Sequence, residues 1–312
     1  MSLSVLRTAD AWWVLVPAGA RRIDTRAATT AELIADRQAV VLATTDDGEV
    51  VDPASLELQS PVTAPCRVIA QMTNYVSHVR DSGMNPDKVP LTFFRKASGS
   101  IVGPNDDIIK PAHVQLLDYE VEIGLVFGRS LPVGTTVDEA TLADAVAGLV
   151  ITNDVSARDV QLPKTQFYEA KSYPSFTPVG PVLVLLEPGE WEKFSTLTLQ
   201  LRVNGVTRQN STVADMIYSP LQAVQTLNRF QRVDAGDLLL TGTPGGTALT
   251  APAKPIEMIG ALLPPHLKWK AFFKRQAGNP KYLRDGDIVE TSIGAGDGTL
   301  DLGVQRNVVR YA

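Results

Sequence analysis

The chain has 312 residues, 44% of them hydrophobic and 20% charged, enough apolar material for one large core or two domains and not the balance of a disordered protein. Lys and Arg number 29 against 34 Asp and Glu, a formal charge of −5 that disfavours nucleic acid and anionic membrane surfaces as partners. A lone Cys66 excludes an internal disulfide, and no apolar run approaches the roughly 20 residues of a membrane-spanning helix, so a cytoplasmic protein is expected.

In chain order, MSLSVLRTADAWWVLV has one arginine and no small-residue cleavage pattern, and it reads as an initial strand and not a signal peptide. Up to about Pro65, β-rich runs (WWVLV, AVVLATT) alternate with a helical stretch near Ala31 to Arg37, which predicts a small N-terminal α+β domain over residues 1–68. The proline-bearing SPVTAP, Ser60 to Pro65, reads as a linker. Beyond it, over 69–312, turn signals punctuate many strands: VNG at Val203 to Gly205, AGD before LLLTGTP, and RDGD before IVETSI. Helices are few. In TNYVSHVRDSG, Thr73 is placed to cap a short one; Thr136 with Glu139 suggests a capping box; Ser219-Pro220 opens LQAVQTLNRF. The expected class is therefore α+β, dominated by antiparallel strands. No GxGxxG or P-loop fingerprint is present, which argues against a nucleotide cofactor.

The three histidines, His78, His113 and His266, form no HExxH pattern, so a metal would have to be held by carboxylates, which suit Mg²⁺, Mn²⁺ or Ca²⁺. In DYEVEIGLVFG the strand period puts Glu120, Glu122 and Gly124 on one face. Same-face neighbours lie roughly 7 Å apart, a gap two Glu side chains can close on one cation, with Gly124 leaving space beside them. A solvated strand face is the competing reading of this pair alone. Asp154 follows the apolar run AGLVIT, where either a third ligand or a turn-forming Asn-Asp pair fits. Lys171 adds a cation in a Ser/Thr/Pro-rich loop, where surface decoration is the plain alternative. His78 and Asp81 stand three apart, so on a helix the carboxylate can orient the imidazole as a general base, or the two form an ordinary surface pair.

Taken together, NYVSH, FFRKASGSIVGPNDDI, DYEVEIGLVFG, NDVSARDVQ, AKSYPSFTPVGP, GDLLLTGTPGG and GDIVETSIG, in this order over residues 69–312, resemble the fumarylacetoacetate hydrolase superfamily. The resemblance implies a twisted β-roll catalytic domain, usually homodimeric, with Mg²⁺ or Mn²⁺ on Glu120, Glu122 and Asp154. It assigns Lys171 to the active site and His78 to water activation. Arg158, Gln161 and a threonine of TGTP, Thr241 or Thr243, would border a small diketo or 2-oxo acid. The leading expectation is hydrolysis of a carbon–carbon bond in an acylpyruvate-like or fumarylacetoacetate-like acid, with a lyase or isomerase acting on a 2-oxo acid as the rival and a catalytically silent binding protein as the third reading.

The chain departs from the family pattern twice. A glutamate usually stands three residues after the histidine, and here the residue is Asp81, one methylene shorter. Residues 247–282 separate TGTPGG from LRDGDIVE far more widely than usual. This insertion, with Met258, Ile259, Leu262, Leu263, Leu267, Trp269, Phe272 and Phe273 set among Lys268, Lys270, Lys274 and Arg275, is expected to cover the active site or to serve a subunit interface.

Overall fold

The computed structural model describes residues 2–187, 189–251 and 264–312. Its largest element is a ten-stranded sheet. The order is Val50–Val51, Gly19–Arg22, Trp12–Val16, Leu3–Arg7, Leu183–Leu185, Val146–Asn153, Val121–Phe127, Leu238–Leu240, Val68–Gln71 and Phe93–Lys96. Every pairing in it is antiparallel except that of Leu238–Leu240 with Val68–Gln71. The N-terminal strands thus extend the sheet that carries the acidic motifs, through the pairing of Leu3 to Val5 with Leu185 to Leu183. A five-stranded sheet, in the order Val206–Thr212, Leu197–Val203, Ile288–Ala295, Asp301–Tyr311 and Ile108–Lys110, supplies a second layer.

The Val121–Phe127 strand is buried along its whole length, and its alternation sorts the core. Ile123, Leu125 and Phe127 pack in a cluster with Leu199, Leu201, Val289 and Ile293 of the five-stranded sheet. Val126 points the other way, into a cluster with Val5, Val14, Leu33, Val40, Val150 and Leu238. Burial on both faces rules out the solvated strand face that the sequence left open.

Several expected local features hold. Ser219 and Gln222 form a reciprocal capping box on the Pro220–Asn228 helix. Asn204 and Gly205 both take positive φ, 51° and 76°, as a two-residue hairpin turn requires. Others are corrected. AVVLATT lies in the Arg37–Thr45 helix, where only Val40 and Ala43, three apart, are buried, so its apolar run followed one helical stripe and not a strand. The Glu139–Ala145 helix is capped by Asp138, whose carboxylate accepts from Thr141 N–H, and not by Thr136. Thr73 sits at φ 42° and does not cap the Val76–Asp81 helix; the Asp215 carboxylate instead accepts from the backbone N–H and the hydroxyl of Ser77. Among the described residues no helix is long and apolar enough to cross a membrane.

Candidate active site

The three acids expected to act together do converge. Glu120 precedes the Val121–Phe127 strand, Glu122 lies within it, and Asp154 follows the antiparallel neighbour Val146–Asn153. Two bonds fix the meeting point: Asp154 N–H donates to the Glu120 carbonyl (2.8 Å), and Glu120 N–H donates to Asn153 Oδ1 (2.9 Å). Glu120, Glu122 and Asp154 each offer an oxygen within 4.8 Å of the others, and all three are buried.

Cations of the protein answer two of these acids. Lys171 Nζ donates to Glu120 Oε2 (2.7 Å) and Asp154 Oδ2 (2.5 Å). Arg158 Nη2 donates to Glu120 Oε1 (2.5 Å). Lys96, to which the sequence reading gave no role, is buried, pairs with Asp154 and donates to the Phe176 carbonyl (2.8 Å). Among the described residues Glu122 has no such partner; its Oε2 accepts only the Gly242 N–H (2.7 Å). Burial and the charges of Asp154 and Glu120 hold the Glu122 carboxyl well above the usual carboxylate range. Burial also pushes Glu120 upward, but Lys171 and Arg158 bring it below that range. A buried acid facing two others without a cation of its own is an arrangement that an oxygen-seeking dication fits, and the donor set is that of Mg²⁺, Mn²⁺ or Ca²⁺.

Gly242 is set by geometry. Its φ is 86°, and a Cβ there would lie 2.7 Å from Asn74 Cβ, so a side chain would move the N–H away from Glu122. Asn74 Nδ2 braces the same turn by donating to the Thr241 carbonyl (2.9 Å). Gly124 does something other than expected: a Cβ there would meet Val150, Leu238 and Thr152 side chains at 2.7–2.9 Å, so its missing side chain serves sheet packing and not cation access.

Arg158 and Gln161 share one face of the Arg158–Lys164 helix, and Arg158 Nη1 donates to Gln161 Oε1 (2.9 Å). Arg158 Nε reaches Asp118 Oδ2 (2.8 Å), a second residue that the sequence reading missed. Asp118 also accepts the backbone N–H groups of Ala248 (2.8 Å) and Leu249 (3.1 Å), tying the root of the insertion to the acid cluster. Of the TGTP threonines, Thr243 lines the cavity while its hydroxyl donates to the Val121 carbonyl (2.9 Å). Thr241 does not border it. Its hydroxyl donates to the Ile123 carbonyl (3.0 Å) and its backbone N–H to the same oxygen, because the residue continues the sheet ladder.

These groups open onto a cavity of about 1100 Å³ that also exposes His78, Gln71, Phe94 and Phe167. Burial holds the His78 imidazole below its ordinary range, so it is neutral at pH 7. The expected dyad is absent. Among the described residues His78 Nδ1 is buried without a hydrogen-bond partner, while Asp81 Oδ2 accepts the Gly246 N–H (2.9 Å). Three-residue spacing put both side chains on one helix, but the loop after TGTP offers Asp81 a backbone donor.

The opposite wall comes from the insertion. The Pro265–Gln276 helix turns Lys268, Trp269, Phe272 and Arg275 to the cavity, and Trp269 stacks on Phe273 (centroids 5.7 Å apart, 19° between planes). Leu267 is exposed. Met258, Ile259, Leu262 and Leu263 lie outside the described residues.

The sequence model of the fumarylacetoacetate (FAA) hydrolase C-terminal domain matches residues 67–310. A fumarylacetoacetate hydrolase domain-containing protein 2 homolog of Dictyostelium discoideum is 33% identical over 245 residues, 76% of this chain and 70% of that protein. An oxaloacetate tautomerase of Bacillus subtilis is 31% identical over 246 residues, 77% of this chain and 70% of its own. Among solved structures, a probable 2-hydroxyhepta-2,4-diene-1,7-dioate isomerase of Mycobacterium abscessus superposes with a TM-score of 0.75 at 30% identity, covering 100% of this chain and 99% of that one. With a β-dominated α+β fold, a cluster of three acids whose oxygens are close enough to share a metal ion, and a family match over most of its length, the chain belongs to the fumarylacetoacetate hydrolase family of enzymes.

Proposed function

We propose that the protein is a divalent-metal-dependent enzyme that moves a proton on a small 2-oxo acid, interconverting its keto and enol forms or shifting its double bond. The arrangement of His78 carries this reading: a neutral imidazole in the same cavity as the acid triad, with no carboxylate among the described residues to support it as a strong base. Mg²⁺ or Mn²⁺ held by Glu120, Glu122 and Asp154 would supply the positive charge that makes the carbon acid beside a 2-oxo group easier to deprotonate. Removing such a proton asks less of a base than activating water and expelling a carbon leaving group. His78 accepts the proton from carbon and returns it to the other end of the enol system. Lys171 stays charged, because Asp154 and Glu120 outweigh the effect of its burial, and offers a positive charge to the developing enolate oxygen. Gln161, held through Oε1 by Arg158, keeps its amide N–H groups free to orient the acid group. The relatives named as an oxaloacetate tautomerase and a dioate isomerase support proton transfer.

Carbon–carbon hydrolysis, the leading expectation from the sequence, uses the same cavity and is the competing outcome. Purified protein with Mg²⁺ or Mn²⁺ is mixed with enol-oxaloacetate and, separately, with acylpyruvates, following enol absorbance and product mass. Proton transfer predicts accelerated loss of enol absorbance at unchanged mass. Metal-dependent cleavage of acylpyruvates, with no acceleration of enol–keto exchange, would replace this reading with the hydrolase.

A further inference from the structure

The positive groups around the acid triad are already engaged. Lys96, Lys171 and Arg158 each pair with a buried carboxylate. The insertion helix differs. Lys268, Phe272 and Arg275 follow one another at i, i+4 and i+7 and all face the cavity, so the two cations stand two turns apart, about 10 Å along the axis. Among the described residues neither is in an ion pair; Lys268 Nζ lies only over its neighbour Trp269, 5.6 Å from the ring centroid. The aromatic lining comes from both walls: Phe94 lies 5.1 Å from Lys171 Nζ, and Trp269 and Phe272 lie between the two helix cations in sequence. A cavity of about 1100 Å³ lies just above the range of about 300–1,000 Å³ typical of pockets for drug-sized ligands, which are much larger than a four-carbon acid.

We infer that Lys268 and Arg275 form a second anion subsite, selecting a 2-oxo acid that carries a further carboxylate beyond an aromatic or similarly apolar spacer. The inference rests on the 2-oxo acid reading above and names its substrate class. The head group meets the acid-triad end, the spacer lies against Trp269 and Phe272, and the distal carboxylate meets two cations that no other described group neutralises. Both side chains are exposed and distant in sequence from the triad, so replacing them leaves the core intact.

Calorimetric titration of the Mg²⁺-loaded protein with phenylpyruvate, 4-carboxyphenylpyruvate and oxalate tests it, since the first two differ only in the distal carboxylate. The wild type is expected to bind 4-carboxyphenylpyruvate about tenfold or more tightly than phenylpyruvate. In the Lys268→Ala/Arg275→Ala variant that preference falls to about twofold or less, and Arg275→Glu reverses it. Added salt narrows the wild-type preference, and Lys268→Arg retains it. Equal binding of the two ketoacids by the wild type, a preference that survives the double variant, or an equal loss of both ligands in the variant would overturn the subsite while the 2-oxo acid reading stands. Failure of oxalate and of both ketoacids to bind the wild type would overturn both.

Discussion

The two walls of the cavity are built on opposite principles. On the strand wall, side chains leave a sheet buried on both faces, and Lys96, Arg158 and Lys171 around the acids each already have a carboxylate. On the helix wall, Lys268 and Arg275 are exposed, and the helix starts at Pro264 without a side-chain cap. What secures it lies at its far end: Asn279 Nδ2 donates to the Ala248 carbonyl (2.8 Å), the Tyr282 hydroxyl donates to Gln276 Oε1 (3.2 Å), and Phe273 packs on the core. A rigid, charge-paired wall suits a fixed reaction. A lightly attached wall whose cations pair with no acid among the described residues suits a choice of substrate, because it can change without unpairing buried charge.

The sharpest break in that contrast is at Glu122, the acid of the triad that no cation among the described residues pairs with. Glu122→Gln is expected to weaken Mn²⁺ binding on the order of 100-fold or more, since it removes a ligand charge from a site of three carboxylates. The metal-free fold should melt no lower, and by its sign somewhat higher, because burial and the neighbouring acids already disfavour this carboxylate. Calorimetric Mn²⁺ titration and thermal melting of the metal-free protein read the two effects. Unchanged Mn²⁺ affinity would place the ion elsewhere.

Arg158→Met should act in the opposite sense. It leaves the buried Asp118 without a cation and the buried Glu120 with Lys171 alone, and is expected to cost about 3–5 kcal/mol of stability even without metal. Loss of the same size in an Asp118→Asn/Arg158→Met double variant would show the two to be one unit, whereas a sum of two full losses would show them to be independent.

His78→Asn tests the chemistry and not the frame. Proton-transfer turnover is expected to fall by about 10²–10⁴ while Mn²⁺ affinity stays near wild type. Asp81→Asn, which disturbs only the brace on Gly246, should lower turnover by less than about tenfold. If the two variants lose turnover equally, the histidine and aspartate work as a pair during the reaction.

What could be read from the sequence follows the same division. The period of DYEVEIGLVFG brought Glu120 and Glu122 to one face, and the end of AGLVIT delivered Asp154, because a strand's alternation is a local property. The dyad failed for a non-local reason: helix spacing made His78 and Asp81 neighbours, but it could not show the Gly246 N–H that takes the carboxylate. Lys96 and Asp118 were both inside quoted motifs and went unassigned, since an Asp beside two Glu and a Lys after an Arg look like solvated charge until their burial is known. AVVLATT failed through composition, four β-branched residues among seven on a helix that buries only one stripe. Thr241 and Thr243 were equivalent by motif, and only the ladder bond to Ile123 separates them.

The smallest expected effect lies at the outer edge of the strand wall, where its one parallel pair begins. Arg67, just before Val68–Gln71, donates through Nη1 to Asp234 Oδ2 and Asp237 Oδ2, both at 2.7 Å, just ahead of Leu238–Leu240. The Ser130 hydroxyl and Arg67 together pull the Asp234 carboxyl down to about 2 from the ordinary 3.8. A group lowered on folding contributes its stability above the unfolded value and loses it as pH falls toward the folded one, so the clamp weakens between about pH 4 and pH 2. Arg67 and Asp234 are partly exposed, and screening holds the effect to about 1 kcal/mol or less. Asp234→Asn should therefore have a flatter melting temperature than wild type across that window and a nearly equal one at pH 2. Parallel decline of the two proteins from pH 4 downward would mean that the register of this strand pair is held by its backbone ladder alone, and that the rigidity of the strand wall owes nothing to charge at its edge.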